Sequence, residues 1–357
     1  MNCCSNCFTD VVLKQNLEAK STIKGNCDFC ESKAISIIAC DQMSVDFDEL
    51  FDLYFNNPTA EWSLGKPDPV LIHEHLDLYW HKLFNHELLK AKDIKSLVNQ
   101  IGRGSAFYLP ALFEQPVEYE YTVWHAGVPA EDLQLKWDNF AKEIKEKNRF
   151  FLSEVIDTDM LDAVFERLVV TYPPGTEFYR ARISTSKLDL DKLGKPPAEL
   201  TTPGRANPVG IPYLYVSDSE QTTLYETRIA LHESITIGKF VAAESINVVS
   251  LKGILEYGPF EIMDRGFDLV EFIQFRPYLL KLGDELSKPV RKQDVNLDYL
   301  PTQYLCEYIK SKLGFDAVEY KSAMNINGYN LAIFNDHKVK CVDANFYKVT
   351  DLTYNWH

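Results

Sequence analysis

Tyr172-Pro173-Pro174-Gly175 splits the chain into two textures, and no continuous helix can run through it. Two successive prolines remove two backbone donors and lock φ, and the glycine then frees it, so a helix arriving from upstream must stop there. Before the break, apolar residues recur at helical spacing; after it, they alternate. The expected class is α+β, with a helical part first and a mixed β domain after it, and the main boundary near residue 168. At 357 residues the chain has room for two or three domains with real cores.

The first thirty residues carry a second constraint. Cys4-x-x-Cys7 and Cys27-x-x-Cys30 are separated by nineteen residues, the spacing of a four-thiolate zinc site. Each pair can place both sulfurs on one tetrahedral ion, and Gly25-Asn26 supplies the turn before the second pair. A closed four-sulfur site is structural rather than hydrolytic, so residues 1–42 are expected to form a zinc ribbon or knuckle that folds around its metal. Cys3 is a competing ligand, whereas Cys40, Cys306 and Cys341 read as core thiols. Cysteines at metal spacing fit a reducing, cytoplasmic setting.

A net charge of −15 argues against a large nucleic-acid interface, because phosphate binding needs a basic field over much of the surface. No run of eighteen apolar residues is present, and Met1-Asn2-Cys3-Cys4 lacks the regions of a signal peptide, so no membrane partner is expected.

From about Ser44 to Ile101 the pattern is helical, with Lys66-Pro67-Asp68-Pro69 starting a new helix. The second segment, Leu71 to Leu97, holds His73, His75, His81 and His86, but their offsets among Trp80, Leu83 and Phe84 describe a packed face rather than a metal site. Arg103 has no His after four to six intervening residues, so the spacing of a ribonuclease motif is missing. Residues 102–130 read as an irregular connection, and Glu131 to about Leu168 as further helix.

Beyond the break, Thr176–Ile183 alternates, which puts Phe178, Arg180 and Arg182 on one face. A strand arginine is ordinarily at an edge or on the surface; two on one face make an anion site the competing reading. Ser184 to Thr202 reads as a polar loop. Then come a Gly/Pro-punctuated turn around Arg205 and Asn207, a strand from Tyr213 to Ser217, and a helix with a Ser217-x-x-Glu220 capping box. Glu226 sits two turns into that helix, sharing a face with Thr222, Thr223 and Ile229. A mid-helix carboxylate is commonly a solvated surface group. Its neighbours, an arginine on a tight turn and Tyr215 in the strand, offer a cation for phosphate, an aromatic surface and a carboxylate for developing positive charge. Strands are expected at Thr236–Val241, Ile246–Leu251, Phe315–Tyr320 and Tyr329–Phe334, a helix from Tyr299 to near Gly314, and mixed structure before Leu286. Ser322 opens a polar loop, where plain turn chemistry would also place it.

The order FYRAR, GRANPVGIPYLYVS, TTLYETR and YLPTQYLCEYIKSKLGFDAVEYKSAMNINGYNLAIF, from about Phe178 to Phe334, resembles the RES domain. The cysteine pairs followed by helix are similar to the zinc-bearing, HEPN-like region fused to some RES domains. The resemblance implies residues 43–168 as a HEPN-like helical domain and 169–357 as a RES catalytic domain with an ADP-ribosyltransferase-like mixed sheet that consumes NAD⁺. Carried over by position, it implies Arg180, Arg205, Tyr215, Glu226 and Ser322 as motif residues. Arg205, Arg180, Tyr215, Asn207 and Ser322 would hold the dinucleotide, while Glu226, Arg205, Tyr215 and Ser322 would serve the chemistry. Ala206 stands where the family commonly has Phe or Trp. The implied activity is cleavage of the nicotinamide–ribose bond, as a glycohydrolase or phosphorylase acting as a toxin or defence effector. The alternatives are transfer of ADP-ribose to protein and a non-catalytic binding module. The implied partners are an antitoxin or regulatory protein and a second copy of the chain.

Overall fold

The computed structural model of the 357-residue chain describes residues 1–55, 71–105, 108, 110–114, 118–119, 130–153, 156, 158–288 and 295–351. It divides into two compact units, Met1–Pro129 with Leu255–Pro277, and Ala130–Ile254 with Tyr278–His357. Among the described residues no helix is long and apolar enough to cross a membrane.

In the first unit, strand Ile35–Ala39 lies between Asn2–Cys4 and Ile23–Gly25, antiparallel to both. Asp10 caps the helix Val11–Lys20, accepting from Leu13 N at 3.0 Å, and its other oxygen accepts from Phe260 N at 3.0 Å at the start of the helix Pro259–Asp264. One carboxylate thus satisfies orphan donors of two helix starts. Phe8, Phe47, Phe51 and Phe260 pack ring against ring in the core. The helix expected from Leu71 to Leu97 is two helices, Ile72–Tyr79 and Ala91–Gly102. The residues between give their backbone bonds to the cysteine segment: Thr9 N donates to Leu83 O at 2.9 Å and Asn85 N to Cys7 O at 3.0 Å. Lys66-Pro67-Asp68-Pro69 and most of residues 102–130 lie outside the described residues.

The second unit is built on a mixed sheet, with the helices Ala130–Glu146 and Thr158–Arg167 preceding its first strand. Its strands are β1 (Val169–Tyr172), β2 (Glu177–Ile183), β3 (Leu214–Ser217), β4 (Ser234–Ala242), β5 (Ile246–Ser250), β6 (Ala317–Lys321), β7 (Tyr329–Ile333) and β8 (Val339–Lys348). They stand in the order β8-β4-β2-β3-β7-β6-β5-β1, with β5 and β6 parallel and the other neighbours antiparallel. Phe178, Val216, Phe240, Val248, Leu331 and Ile333 belong to one buried cluster, the period-2 consequence of alternation.

β2 and β3 share a single register pair, Tyr179 with Ser217, whereas β2 follows β4 from Glu177 to Ile183 and β3 follows β7 from Leu214 to Ser217. The sheet therefore parts between β2 and β3. A backbone donor freed by that parting, Ala181 N, bonds Thr223 Oγ1 at 3.1 Å on the helix α1 (Glu220–Thr227).

Sequence spacing points to Ser217 as the cap of α1, but the cap is Ser219, whose Oγ accepts from Thr222 N at 3.2 Å. Ser217 is still in β3, with its hydroxyl bonded to Asn330. Arg228, at φ 48°, ends the helix, so Ile229 lies beyond it and Glu226 stands in the last turn. A second helix, α2 (Leu300–Ser311), matches the pattern read before Gly314, where φ is +73°. The stretch read as mixed contains the helix Leu269–Ser287, whose internal Pro277 breaks the helical signal.

Candidate functional site

Where the sheet parts, Arg180 and Ala181 of β2 face a cleft of about 290 Å³ together with Gly204, Arg205, Tyr215, Ser217, Glu226, Tyr320 and Asn330. That is the lower end of the range for small-molecule sites. Four of the residues singled out from sequence, Arg180, Arg205, Tyr215 and Glu226, line it directly. Asn207 and Ser322 touch it through others.

Asn207 supports the turn. Its Oδ1 accepts from Tyr215 Oη at 2.8 Å, and its Nδ2 donates to Thr202 O at 3.1 Å and Pro208 O at 3.0 Å. Tyr215 Oη in turn accepts from Ala206 N at 3.0 Å. Burial, with Tyr320 beside it, pushes the Tyr215 phenol well above its ordinary value, so the hydroxyl keeps its proton. Gly204 is obligatory here: a Cβ would lie 2.3 Å from Asn207 Oδ1 and 2.6 Å from Tyr215 Oη. From below, α2 closes the turn, with Gln303 Nε2 donating to Gly204 O at 2.8 Å and Asn207 O at 2.9 Å, and Thr302 Oγ1 to Arg205 O at 2.6 Å.

Arg205 reaches the last carbonyls of the helix Leu269–Ser287, with Nη1 donating to Leu286 O at 3.0 Å and to Ser287 O. A helix C-terminus favours a cation, which anchors the guanidinium at the cleft wall. Arg180 Nη1 donates to Tyr215 O at 3.0 Å, and its buried Nε has no partner. Burial first, and the like charge of Arg182 second, lower the Arg180 guanidinium to about 10. Both effects disfavour the cation, and an anion in the cleft would relieve them. Arg182 does not line the cleft, because its Nη2 is turned to Gly194 O at 2.7 Å. The two-arginine anion face expected on β2 therefore reduces to one arginine.

Glu226 Oε1 accepts from Ser322 Oγ at 2.6 Å and from Asn330 Nδ2 at 2.7 Å. Ser322 Oγ itself accepts from Met324 N at 3.1 Å and Asn325 N at 3.0 Å. Sequence reasoning missed Asn330, Ser217, Tyr320, Thr302 and Gln303. For Asn330 a signal existed: asparagine is depleted in strands, yet it sits among Tyr329, Leu331 and Ile333 in an alternating run.

In the first unit the sulfurs of Cys4, Cys7, Cys27 and Cys30, all buried, lie within 4.8 Å of one another. Cys4 and Cys30 are 3.4 Å apart, as are Cys7 and Cys27. A tetrahedral zinc with bonds of about 2.3 Å needs sulfurs roughly 3.8 Å apart, so the four side chains fit that ion with small adjustments. Hydrogen bonds among the thiols lower Cys27 and raise Cys4 and Cys7. His73, His75 and His86 join no such group among the described residues; His75 Nδ1 pairs with Tyr54 Oη at 2.8 Å and His86 Nε2 with Asp77 at 3.0 Å.

The family model described as the RES domain matches residues 177–357. Among solved structures, the chain is similar to one in the crystal structure of the M. tuberculosis MbcT-MbcA toxin-antitoxin complex, at 14% identity and a TM-score of 0.32, covering 54% of this chain and 93% of that one. Comparison with curated proteins returns no match.

Proposed function

Given that the chain belongs to the RES domain family, we propose that it consumes NAD⁺ by cleaving the bond between nicotinamide and ribose. The observation that carries this reading is the convergence of Arg180, Arg205, Tyr215 and Glu226 on one cleft. At about 290 Å³ the cleft suits the nicotinamide riboside end of the substrate, with the pyrophosphate at its arginine wall. Arg180, with an unpartnered buried Nε, and Arg205 would take phosphate oxygens. The Tyr215 ring would line the ribose side, and Asn207 would hold the turn that presents Arg205.

As the C1′–N bond breaks, its electron pair leaves with nicotinamide and positive charge builds on the ribose. The Glu226 carboxylate would stabilise that charge, an interaction stronger in the transition state than with bound substrate. The acceptor then attacks C1′: water makes the protein a glycohydrolase, inorganic phosphate a phosphorylase, and a protein side chain a transferase. Dinucleotide depletion would make it a toxin or defence effector, with an antitoxin or regulatory protein as the partner that restrains it. In this reading residues 169–357 are the ADP-ribosyltransferase-like catalytic part, while the zinc unit of residues 1–42, with a structural ion on Cys4, Cys7, Cys27 and Cys30, and the HEPN-like residues 43–168 are non-catalytic.

The test is mass spectrometry of NAD⁺ incubated with pure protein, with and without phosphate and a cell lysate. Free ADP-ribose, ADP-ribose 1″-phosphate or a modified protein identifies the acceptor. Intact NAD⁺ in all three arms, from protein that is folded, overturns the proposal.

A further inference from the structure

Serine's hydroxyl offers one donor and two acceptor positions. In Ser322 all three are occupied: the proton goes to Glu226 Oε1, and the lone pairs accept from Met324 N and Asn325 N. Nothing remains with which Ser322 could bond a substrate. Its reach is confined to Glu226.

Asn330 gives Glu226 Oε1 a second donor, its Nδ2 at 2.7 Å. It stands in register with Ser217 on β3 and with Tyr320 on β6, so the three side chains form a row across neighbouring strands. An ionised carboxylate only accepts, so the amide must turn its NH₂ to Glu226 and its oxygen to Ser217, whose Oγ donates to Asn330 Oδ1 at 2.7 Å. Asn330 and Ser217 are both buried, and the amide cannot swing away without stranding a polar group. The loop bearing Ser322 is itself tied to the helix bearing Glu226, through Asn325 Nδ2 to Thr222 Oγ1 at 2.9 Å.

We propose that Asn330, braced by Ser217, is a positioning residue that acts with Ser322 to clamp Oε1 of Glu226, leaving Oε2 as the oxygen that meets the reacting ribose. Ser322 is then a positioning residue as well. The kinetic part of this inference rests on the proposed NAD⁺ chemistry; the clamp itself does not. Two donors on one oxygen hold the carboxylate's rotation and leave its second oxygen without a donor, the preorganisation that electrostatic catalysis requires.

The decisive experiment pairs crystallography with kinetics. In crystals of the wild-type full-length chain Glu226 should hold one rotamer, and in Asn330→Ala it should occupy others. With NAD⁺, Asn330→Ala should lower kcat by about 10–100-fold, from the loss of a charge-assisted bond, with KM within about threefold. Asn330→Asp replaces the amide donor with a second carboxylate facing Glu226, so kcat should fall at least as far as in Asn330→Ala. Asn330→Ser tests whether a shorter donor restores part of the rate. An unchanged Glu226 position in folded Asn330→Ala overturns the clamp, whatever the activity. A displaced Glu226 in a protein whose wild type leaves NAD⁺ intact upholds the clamp and removes the proposed reaction instead.

Discussion

Tyr215 Oη donates to Asn207 Oδ1 across 2.8 Å, so the strand tyrosine and the turn asparagine are one mechanical unit. The Tyr215 hydroxyl also receives Ala206 N, which leaves its ring as the part that meets a ligand. Tyr215→Phe keeps that ring and removes both bonds. Stranding a buried amide and carbonyl costs about 1–3 kcal/mol each. The expected result is a rise in KM for NAD⁺ of about tenfold or more with a smaller change in kcat, because the turn that presents Arg205 is loosened. An equal fall in kcat at constant KM would point instead to a direct chemical role for the hydroxyl.

Glu226→Gln should separate binding from turnover. The amide oxygen can still face Ser322 and Asn330, so the clamp survives, while the oxygen toward the ribose becomes an NH₂ that cannot stabilise a cation. Turnover is expected to fall by about 10²–10⁴-fold with NAD⁺ affinity near wild type, read by nicotinamide release and by calorimetry. A folded variant that loses affinity and turnover together would remove the role assigned to this carboxylate.

How much of this could be read from the chain depends on how far apart the partners lie. Turn chemistry is local, so Pro203 to Pro208 announces itself, and Tyr215 and Glu226 follow within about twenty residues. Arg205 and the carbonyl of Leu286 are 81 residues apart, Glu226 and Asn330 104, and Ser217 and Asn330 113. Periodicity carries no information about such pairs. The parting of β2 from β3 is equally hidden, since both strands look ordinary alone. The place of Arg182 is hidden for a related reason: alternation gives a face but not the carbonyl, here Gly194 O, that captures the side chain. The capping error at Ser217 and Ser219 is smaller: two serines compete, and strand pairing with Asn330 decides between them.

The cysteine cluster makes a separate prediction about the first unit. Full-length protein purified without chelator should carry about one zinc per chain, and Cys27→Ser should lower that content. Because such sites fold with their metal, chelation should release zinc and depress the melting temperature. Zinc-free protein with an unchanged melt would show that the four thiols pack without an ion.

A buried charge lies on the sheet face opposite the cleft. Glu319 of β6 has 0% exposure, and its Oε2 accepts from Tyr172 Oη at 2.6 Å with Lys252 Nζ at 3.1 Å. Lys252 Nζ also sits 3.2 Å from the centre of the Tyr329 ring and donates to Tyr172 Oη at 3.0 Å. Removing one partner leaves a buried charge uncompensated, so Lys252→Met should cost about 3–5 kcal/mol in urea unfolding, while adding Glu319→Gln should recover much of it. The same surroundings raise Tyr172, burial first and Glu319 second. A raised phenol stays protonated in the folded chain while the unfolded chain ionises above about pH 10, so folding stability should decline as pH climbs past that value. In Tyr172→Phe that slope should shrink by the contribution of one proton. A slope unchanged in the variant would show that Tyr172 titrates alike in both states and that the Glu319 cluster is open to water.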